Sequence, residues 1–136
     1  MSAILNTKKA VERKLKNQFP AMKIAWEGVS FSPPNNETYL RTQLVIRPPD
    51  EPTIGDKYYR ERISFQVFVC DVQNKGTSNA FSIAEQVRLL FDKGLTIVEA
   101  ETNIHILETP RITGSLIAED RLIVPVIIEL WAEVYK

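Results

Sequence analysis

The chain is 136 residues long, and 44% of its residues are hydrophobic and 25% are charged. This composition excludes wholesale disorder and a fibrous design, and the length suits one domain with a single core. Because 17 Lys and Arg residues balance 17 Asp and Glu residues, the net charge does not favour sequence-independent binding to nucleic acid or to a membrane. We therefore expect one globular domain over residues 1–136.

The charges are unevenly distributed along this neutral chain. Residues 1–23 contain six basic residues and one acidic residue, a net charge of +5 that leaves −5 on the remainder. A solvated helix face is the simpler explanation, and contact with an acidic surface, including that of a neighbouring copy, is the alternative. The single cysteine, Cys70, excludes an internal disulfide and fits a reducing cytoplasm. With neither a signal-peptide pattern nor an apolar run of about 20 residues, a soluble protein is expected.

The N-terminal segment predicts a helix followed by a short strand. Apolar residues recur at three- and four-residue spacing from about Ser2, the expected cap, to Gln18. Pro20 ends this helix because the residue before a proline avoids α-helical geometry. Lys23–Glu27 is then predicted as a strand and Pro33–Asn36 as a turn.

Two alternating stretches predict a pair of strands joined by a loop. Leu40–Ile46 has a core-facing side and a solvent-facing side, which is typical of a strand. Arg47–Lys57 contains three prolines and one glycine, which resist both helix and sheet, so we interpret it as a projecting loop. Tyr58–Asp71 alternates again over a greater length and is predicted to be a central strand.

A second amphipathic helix is predicted where apolar residues recur from Ala80 to Phe91. Ser78 or Asn79 can cap its start, and Gly94 is expected as its C-terminal residue. The segment that follows alternates less regularly and is broken by Pro110. It predicts one or two strands within Leu95–Leu107 and a further strand at Ile112–Ile117.

The last strand has the clearest pattern of all. Alternate residues from Leu122 to Val134 form an unbroken apolar face, and the opposite face is also unusually apolar around Trp131. Such a strand is either covered by helices or buried against another chain. Pro125 cannot donate to a sheet, so part of this strand is expected to be an edge.

These elements together predict an α+β protein. Its sheet is expected to be mostly antiparallel or mixed, with the two amphipathic helices packed on it. No internal repeat or second domain boundary interrupts the pattern.

The residue types that catalysis or metal binding requires are sparse in this sequence. His105 is the only histidine, so neither a zinc-binding pair nor a histidine dyad with Cys70 is indicated. Glu129 and Glu133 share a strand and would lie roughly 13 Å apart, too far for paired glycosidase carboxylates. The five glycines are scattered and form no phosphate-binding loop. We therefore predict no catalytic, cofactor-binding or metal-binding residues, and no enzyme activity.

A family resemblance adds to this reading. Ile24–Pro33, with the pattern Trp-Glu-Gly-Val-x-Phe-x-Pro inside it, resembles the tail terminator proteins of long-tailed bacteriophages, akin to the lambda type. Tyr39–Arg41, Phe65–Val67 and Arg121–Val126 support the resemblance, which covers almost the whole chain in order. Family members often have a glycine just before the Phe-Gln-Val strand, whereas Arg60–Ile63 stands there in this chain.

The resemblance implies a structural protein of the virion, made in the host cytoplasm and located at the head-proximal end of the tail. Its implied role is to form a hexameric ring that caps the tail tube, stops tube polymerisation and provides the docking surface for the head-side connector. Duplex DNA would pass through this ring without sequence-specific contact. No cofactor is implied.

Nine residues are predicted to make interface contacts, on the assumption that the loop and the Trp131 face reach neighbouring subunits or the tube. They are Arg47, Asp50, Glu51, Ile54, Asp56, Lys57, Glu129, Trp131 and Glu133. A solvated loop and a helix-covered face are the alternatives for these two regions. The alternative functions are another neck or head-completion protein of the same virion and, from a different class, an enzyme or small-ligand module.

Overall fold

The computed structural model describes residues 2–51 and 57–135. Helix α1 spans Ala3–Gln18, as the apolar spacing predicts. The Ser2 hydroxyl accepts a hydrogen bond from the backbone N–H of Leu5 at 3.3 Å, which satisfies one free N–H group of the first turn. Val11 and Leu15 are fully buried on the side of α1 that packs against the sheet.

Helix α2 spans Ser78–Leu90, and its N-terminus differs from the prediction. Thr77 is the N-cap residue, and its side chain makes no capping hydrogen bond. The Asn79 side chain donates instead to the Asp71 carboxylate, at 3.2 Å. Asn79 therefore ties the first turn of α2 to the sheet and is not its cap.

The C-terminus of α2 also differs from the prediction. The helix ends at Leu90, and Gly94 lies beyond it in a separate turn with φ +87°. Phe91 leaves the helix to enter the core, where it is fully buried against Phe65 at 5.8 Å between ring centroids. The helix therefore ends where Phe91 packs into the core, and the position of Gly94 does not indicate this end.

Within the described residues, eight strands form one mixed sheet, which together with the two helices confirms the predicted α+β class. They are β1 (Lys23–Ala25), β2 (Tyr39–Asp50), β3 (Tyr58–Val72), β4 (Thr96–Glu99), β5 (Thr102–Ile106), β6 (Arg111–Ile112), β7 (Leu116–Ala118) and β8 (Arg121–Tyr135). The order is β1-β2-β3-β8-β5-β4, and β6 and β7 also pair with β8. Only β1 and β2 are parallel among these pairs. As predicted, β3 is central.

Three strands differ in their boundaries from the sequence prediction. The first is β1, which ends at Ala25 and not at Glu27. The predicted loop at 47–57 begins later, because β2 continues through Pro48 and Pro49 to Asp50, with an irregularity in its register after Arg47. Residues 52–56 of that loop lie outside the described residues. The strand predicted at Ile112–Ile117 is split into β6 and β7 at Gly114, whose φ is +89°.

Strand β8 is internal to the sheet, so the expectation that part of it forms an edge is wrong. It pairs with β3 along its whole length and with β5, β6 and β7 on its other side. The carbonyl of Pro125 accepts a hydrogen bond from the N–H of Thr113, between β6 and β7. The nitrogen of Pro125 points the same way, into that gap, so no hydrogen bond to β3 is lost.

Both helices pack on one face of the sheet, called the inner face below. The inner face consists of even-numbered residues 40–46 of β2, odd-numbered residues 63–69 of β3 and even-numbered residues 122–132 of β8. Phe65, Val67, Val126 and Ile128 are essentially fully buried there. The apolar face predicted for β8 is therefore the face that the helices cover.

The Phe65–Phe91 contact lies at the centre of this core. We expect Phe91→Ala to lower the free energy of unfolding by about 3–5 kcal/mol, because it leaves a cavity where the ring packed. The neighbouring Leu89 is 71% exposed, so Leu89→Ala should change the free energy of unfolding by no more than about 0.5 kcal/mol. Urea unfolding of both variants measures the difference, and equal effects would contradict this account of the core.

Candidate interaction surface

The opposite face of the sheet, called the outer face below, carries polar and aromatic side chains. It consists of odd-numbered residues 39–47 of β2, even-numbered residues 58–70 of β3 and odd-numbered residues 121–135 of β8. Helices α1 and α2 pack on the inner face, so neither covers this surface. The outer face is thus the side of the sheet that the helices leave uncovered.

Trp131 lies at the centre of one end of the outer face. The guanidinium of Arg60 lies 3.4 Å from the centroid of one Trp131 ring, a cation–π contact. Arg60 also pairs with Asp50 of β2 at 3.5 Å. The contact joins three strands, because Asp50, Arg60 and Trp131 belong to β2, β3 and β8.

Glu133 lies next to this contact and accepts hydrogen bonds from two directions. The Tyr58 hydroxyl donates to its Oε1 at 3.0 Å, and Nε2 of His105 lies 3.2 Å from its Oε2. Burial alone would raise the pKa of Glu133, but hydrogen bonds from His105, Tyr58 and Asn103 hold it below its ordinary value. The carboxylate is therefore ionised and tied to β3 and β5.

Glu129 has a separate partner on the same face. Its carboxylate pairs with the Arg47 guanidinium at 3.1 Å. Because Glu129 and Glu133 each have their own partners, they form two bridges between strands, not one carboxylate pair.

The structure brings five of the nine predicted interface residues together in this outer-face cluster. They are Arg47, Asp50, Glu129, Trp131 and Glu133. Glu51 and Lys57 are exposed at the ends of β2 and β3. Ile54 and Asp56 lie outside the described residues. The contact role of all nine residues stays a prediction.

Sequence reasoning missed three members of the cluster, Tyr58, Arg60 and His105. Tyr58 and Arg60 are at alternate positions of one strand, which puts them on one face. That signal was available from the sequence, but the register that sets Arg60 opposite Glu133 was not. His105 joins the cluster because β5 pairs with β8 and places it opposite Trp131.

A groove of about 490 Å³ lies at the other end of the outer face. One wall is the loop from Trp26 to Pro33, and the other is the beginning of β2 with Phe68 of β3. Phe31 packs against Tyr39 at 5.0 Å between ring centroids. The guanidinium of Arg41 lies 5.2 Å from the Phe68 centroid. The groove is open to solvent and combines aromatic surface with charges of both signs, from Arg41, Glu27 and Glu119.

Arg121 binds the segment before β2, which closes this end of the outer face. Its guanidinium lies 5.1 Å from the centroid of the Tyr39 ring and donates hydrogen bonds to the carbonyls of Pro34 and Glu37. Cys70 is fully buried beside Tyr39, and burial raises the pKa of its thiol. A protonated, enclosed thiol is a poor nucleophile, so Cys70 has a packing role.

Two features are absent from the described parts of the chain, a cluster of metal ligands and a membrane-spanning helix. They contain no group of three or more His, Cys, Asp or Glu residues that could hold a metal ion. None of the helices in these parts is long and apolar enough to span a membrane. A sheet with one helix-covered face and one face of charged and aromatic side chains has the residue types that are enriched at protein interfaces.

Comparison with known proteins identifies the family. A family model described as phage tail terminator protein matches residues 6–130, and the chain belongs to that family. It is therefore a bacteriophage tail protein with a structural role, a component of the virion. A solved structure with 24% sequence identity superposes with a TM-score of 0.77 and shares the fold over 100% of this chain and 99% of that one. A search of curated proteins finds no match.

Glu133 predicts a specific dependence of stability on pH. Because its folded pKa lies below the ordinary value of 4.5, its contribution to stability is present above that value and is lost as the pH falls through the folded pKa. Glu133→Gln removes this contribution and keeps the side-chain shape. We expect the urea midpoint of the wild type to fall more between about pH 6 and pH 3 than that of the variant. Equal decreases would contradict the hydrogen-bond assignment.

Proposed function

We propose that this protein forms a hexameric ring that caps the tail tube, stops its polymerisation and provides the docking surface for the head-side connector. Membership of the tail terminator family carries this proposal. The protein would be made in the host cytoplasm and then occupy the head-proximal end of the tail. Its work would be steric: one face of the ring binds the last tube ring, and the other does not accept another tube subunit.

The outer-face cluster supports the proposal as a contact surface. Trp131 and Arg60 are the residue types that dominate binding energy at protein interfaces. The ion pairs Arg47–Glu129 and Arg60–Asp50 are partly exposed, so each contributes little to the stability of the isolated chain. Surface charges of this kind fix the orientation and choice of a partner more than they stabilise a fold. We assign the cluster to contacts between neighbouring subunits or with the tube.

The size of the chain favours six copies over three. A globular protein of 136 residues has a radius of gyration of roughly 14 Å and thus a diameter of about 36 Å. Six touching spheres of that size leave a central opening of about one sphere diameter, whereas three leave almost none. A six-membered ring therefore has room for duplex DNA. The zero net charge suits passage of DNA without retention.

Removal of the gene from its phage tests the function directly. We expect tail tubes much longer than normal in electron micrographs, because tube polymerisation would no longer be stopped. Filled heads beside finished tails of normal length would contradict the proposal and support a neck or head-completion role. Restoring the wild-type gene on a plasmid is the control and should restore tails of defined length.

Trp131→Ala tests the role of the outer-face cluster. The variant removes the ring that Arg60 contacts and an anchor of the surface, so we expect fewer hexamers by native mass measurement and overlong tails on complementation. Leu89→Ala is the matched control, since it shortens an exposed apolar side chain on α2. Thermal unfolding of both variants separates lost assembly from lost folding. Normal ring mass and normal tails with Trp131→Ala would exclude the cluster from the interface.

A further inference from the structure

The described sheet has two free edges, one along the later part of β2 and one along β4. At one end, β1 pairs only with residues 39–41 of β2, so the later residues of β2 have no strand beside them there. At the other end, β4 pairs only with β5. Free edges present backbone N–H and C=O groups that can bind a further strand.

The free edge of β2 is restricted on both sides of Ile46. The N–H of Leu44 donates to the Glu27 carboxylate at 2.9 Å, so the backbone groups of Leu44 point away from β3. Those of Ile46 point the same way, since direction alternates along the regular part of a strand. Glu27 occupies the N–H of Leu44, and Pro48 has none. Ile46 therefore provides the donor of this edge, with the carbonyls of Leu44 and Ile46 as acceptors.

The free edge of β4 is equally short. The carbonyl of Leu95 accepts a hydrogen bond from the N–H of Ile106 in β5, at 3.0 Å. The backbone groups of Ile97 point the same way, and those of Thr96 and Val98 point outward. Each of these two residues offers one donor and one acceptor. Val98 is also 65% exposed, so an apolar side chain stands at this edge.

The two edges agree in strand direction. Strand β3 is antiparallel to β2 and to β8, β5 is antiparallel to β8, and β4 is antiparallel to β5. Strand β4 therefore runs in the same direction as β2. A head-to-tail ring repeats one contact between two different surfaces, so β4 of one copy would lie parallel to β2 of the next where both strands run along the ring axis.

The two edges also agree in the faces of their side chains. In a parallel pair, a residue whose backbone points into the interface lies beside a residue whose backbone points away, and both side chains share one face. Ile46 points into the interface, and its side chain is on the inner face, opposite Ile63. Ile97 points away, and its side chain also packs against the inner core. The faces would continue from one copy into the next.

We propose that β2 of one copy and β4 of a second copy form a parallel pair with Ile46 beside the partner subunit's Ile97. Three hydrogen bonds follow: from Ile46 to the carbonyl of Thr96, from Val98 to the carbonyl of Ile46, and from Thr96 to the carbonyl of Leu44. This register leaves the Glu27 bond intact and needs no donor at Pro48. It also covers Ile46 and Val98, which are 46% and 65% exposed.

A second copy fits this edge better than an unrelated strand. Between Glu27 and Pro48, a longer strand would meet an occupied N–H group and a missing one, so its extra length would gain few hydrogen bonds. Strand β4 presents two outward residues, which match the gap. The pairing rests on the proposed ring and specifies which surfaces of its subunits meet.

Disulfide cross-linking of Val45→Cys with Thr96→Cys tests the pairing and its register. These residues would lie beside each other on neighbouring strands, with Cα atoms about 4.8 Å apart, which suits a disulfide. We expect mild oxidation to give a ladder up to six linked chains on a non-reducing gel. Gln43→Cys with Thr96→Cys is the matched control, since it shifts the register by two residues and puts the Cα atoms about 8 Å apart. Native Cys70 is fully buried and should stay unlinked.

Val98→Pro tests the backbone donor separately from the side chain. The outward N–H of Val98 makes no bond to β5 in the proposed geometry, so proline removes one bond between copies and leaves the β4–β5 pair. We expect this variant to lose the ladder in the double-cysteine background. Val98→Ser keeps the N–H and should retain the ladder. Circular dichroism and thermal unfolding establish that both variants fold.

The outcomes separate the pairing from the ring itself. A native mass of six copies without the Val45–Thr96 cross-link would overturn the edge pairing and leave the ring in place. Dimers from Val45→Cys alone would place β2 against β2 and overturn it as well. A monomer at every concentration, even with tube protein added, would overturn both the ring and the pairing.

Discussion

The antiparallel pair β3–β8 runs without a break from Tyr58 opposite Tyr135 to Val72 opposite Arg121. Because side chains alternate with a period of two, this register decides which residues meet the helices and which meet solvent, and a slip of one residue would exchange the two faces. Val67 and Val126 meet on the inner face in the observed register. Every other element attaches to this pair directly or through one neighbour, including β2 on β3 and β5, β6 and β7 on β8.

The two faces of that pair differ in what they contribute. The inner face is apolar and buried by both helices, and burial of this kind is the dominant favourable term in folding. The outer face holds its charges in partly exposed pairs such as Arg47–Glu129, which are worth little to stability in water. A sheet that needed only to be stable could end in a plainer solvated face. Contact with a partner, as proposed above, would account for the aromatic and charged residues around Trp131.

The sequence predicted those elements whose pattern is strong within one segment. The periods of α1, β3 and β8 identified them, because their apolar residues recur at regular spacing over seven or more positions. Pro48 and Pro49 concealed the end of β2, since proline is tolerated in edge strands and at irregularities such as the one after Arg47, and the sequence shows neither. The end of α2 was missed because Phe91 leaves the helix to pack on Phe65, a contact between distant parts of the chain.

The candidate surface was predicted less completely for the same physical reason. Glu129, Trp131 and Glu133 share one face of one strand, which alternation alone reveals. Their partners Arg47, Tyr58, Arg60 and His105 come from three other strands, and only the register of the sheet brings them near. The groove and the bond between Glu27 and Leu44 likewise depend on how the loop after β1 folds back over β2.

The segment that carried the family resemblance also has a physical role at the edge of the sheet. Within residues 24–33, Phe31 packs on Tyr39 and closes one end of the outer face, and Glu27 binds the exposed N–H of Leu44. Pro48, two residues beyond Ile46 in β2, has no backbone N–H group to donate. An unguarded edge of this length would pair with any extended chain, and a tail protein meets many identical strands during assembly. In the proposed pairing, a short gap between Glu27 and Pro48 restricts which strand can bind, so Glu27, within the segment that resembles the family, would limit the contacts of this edge.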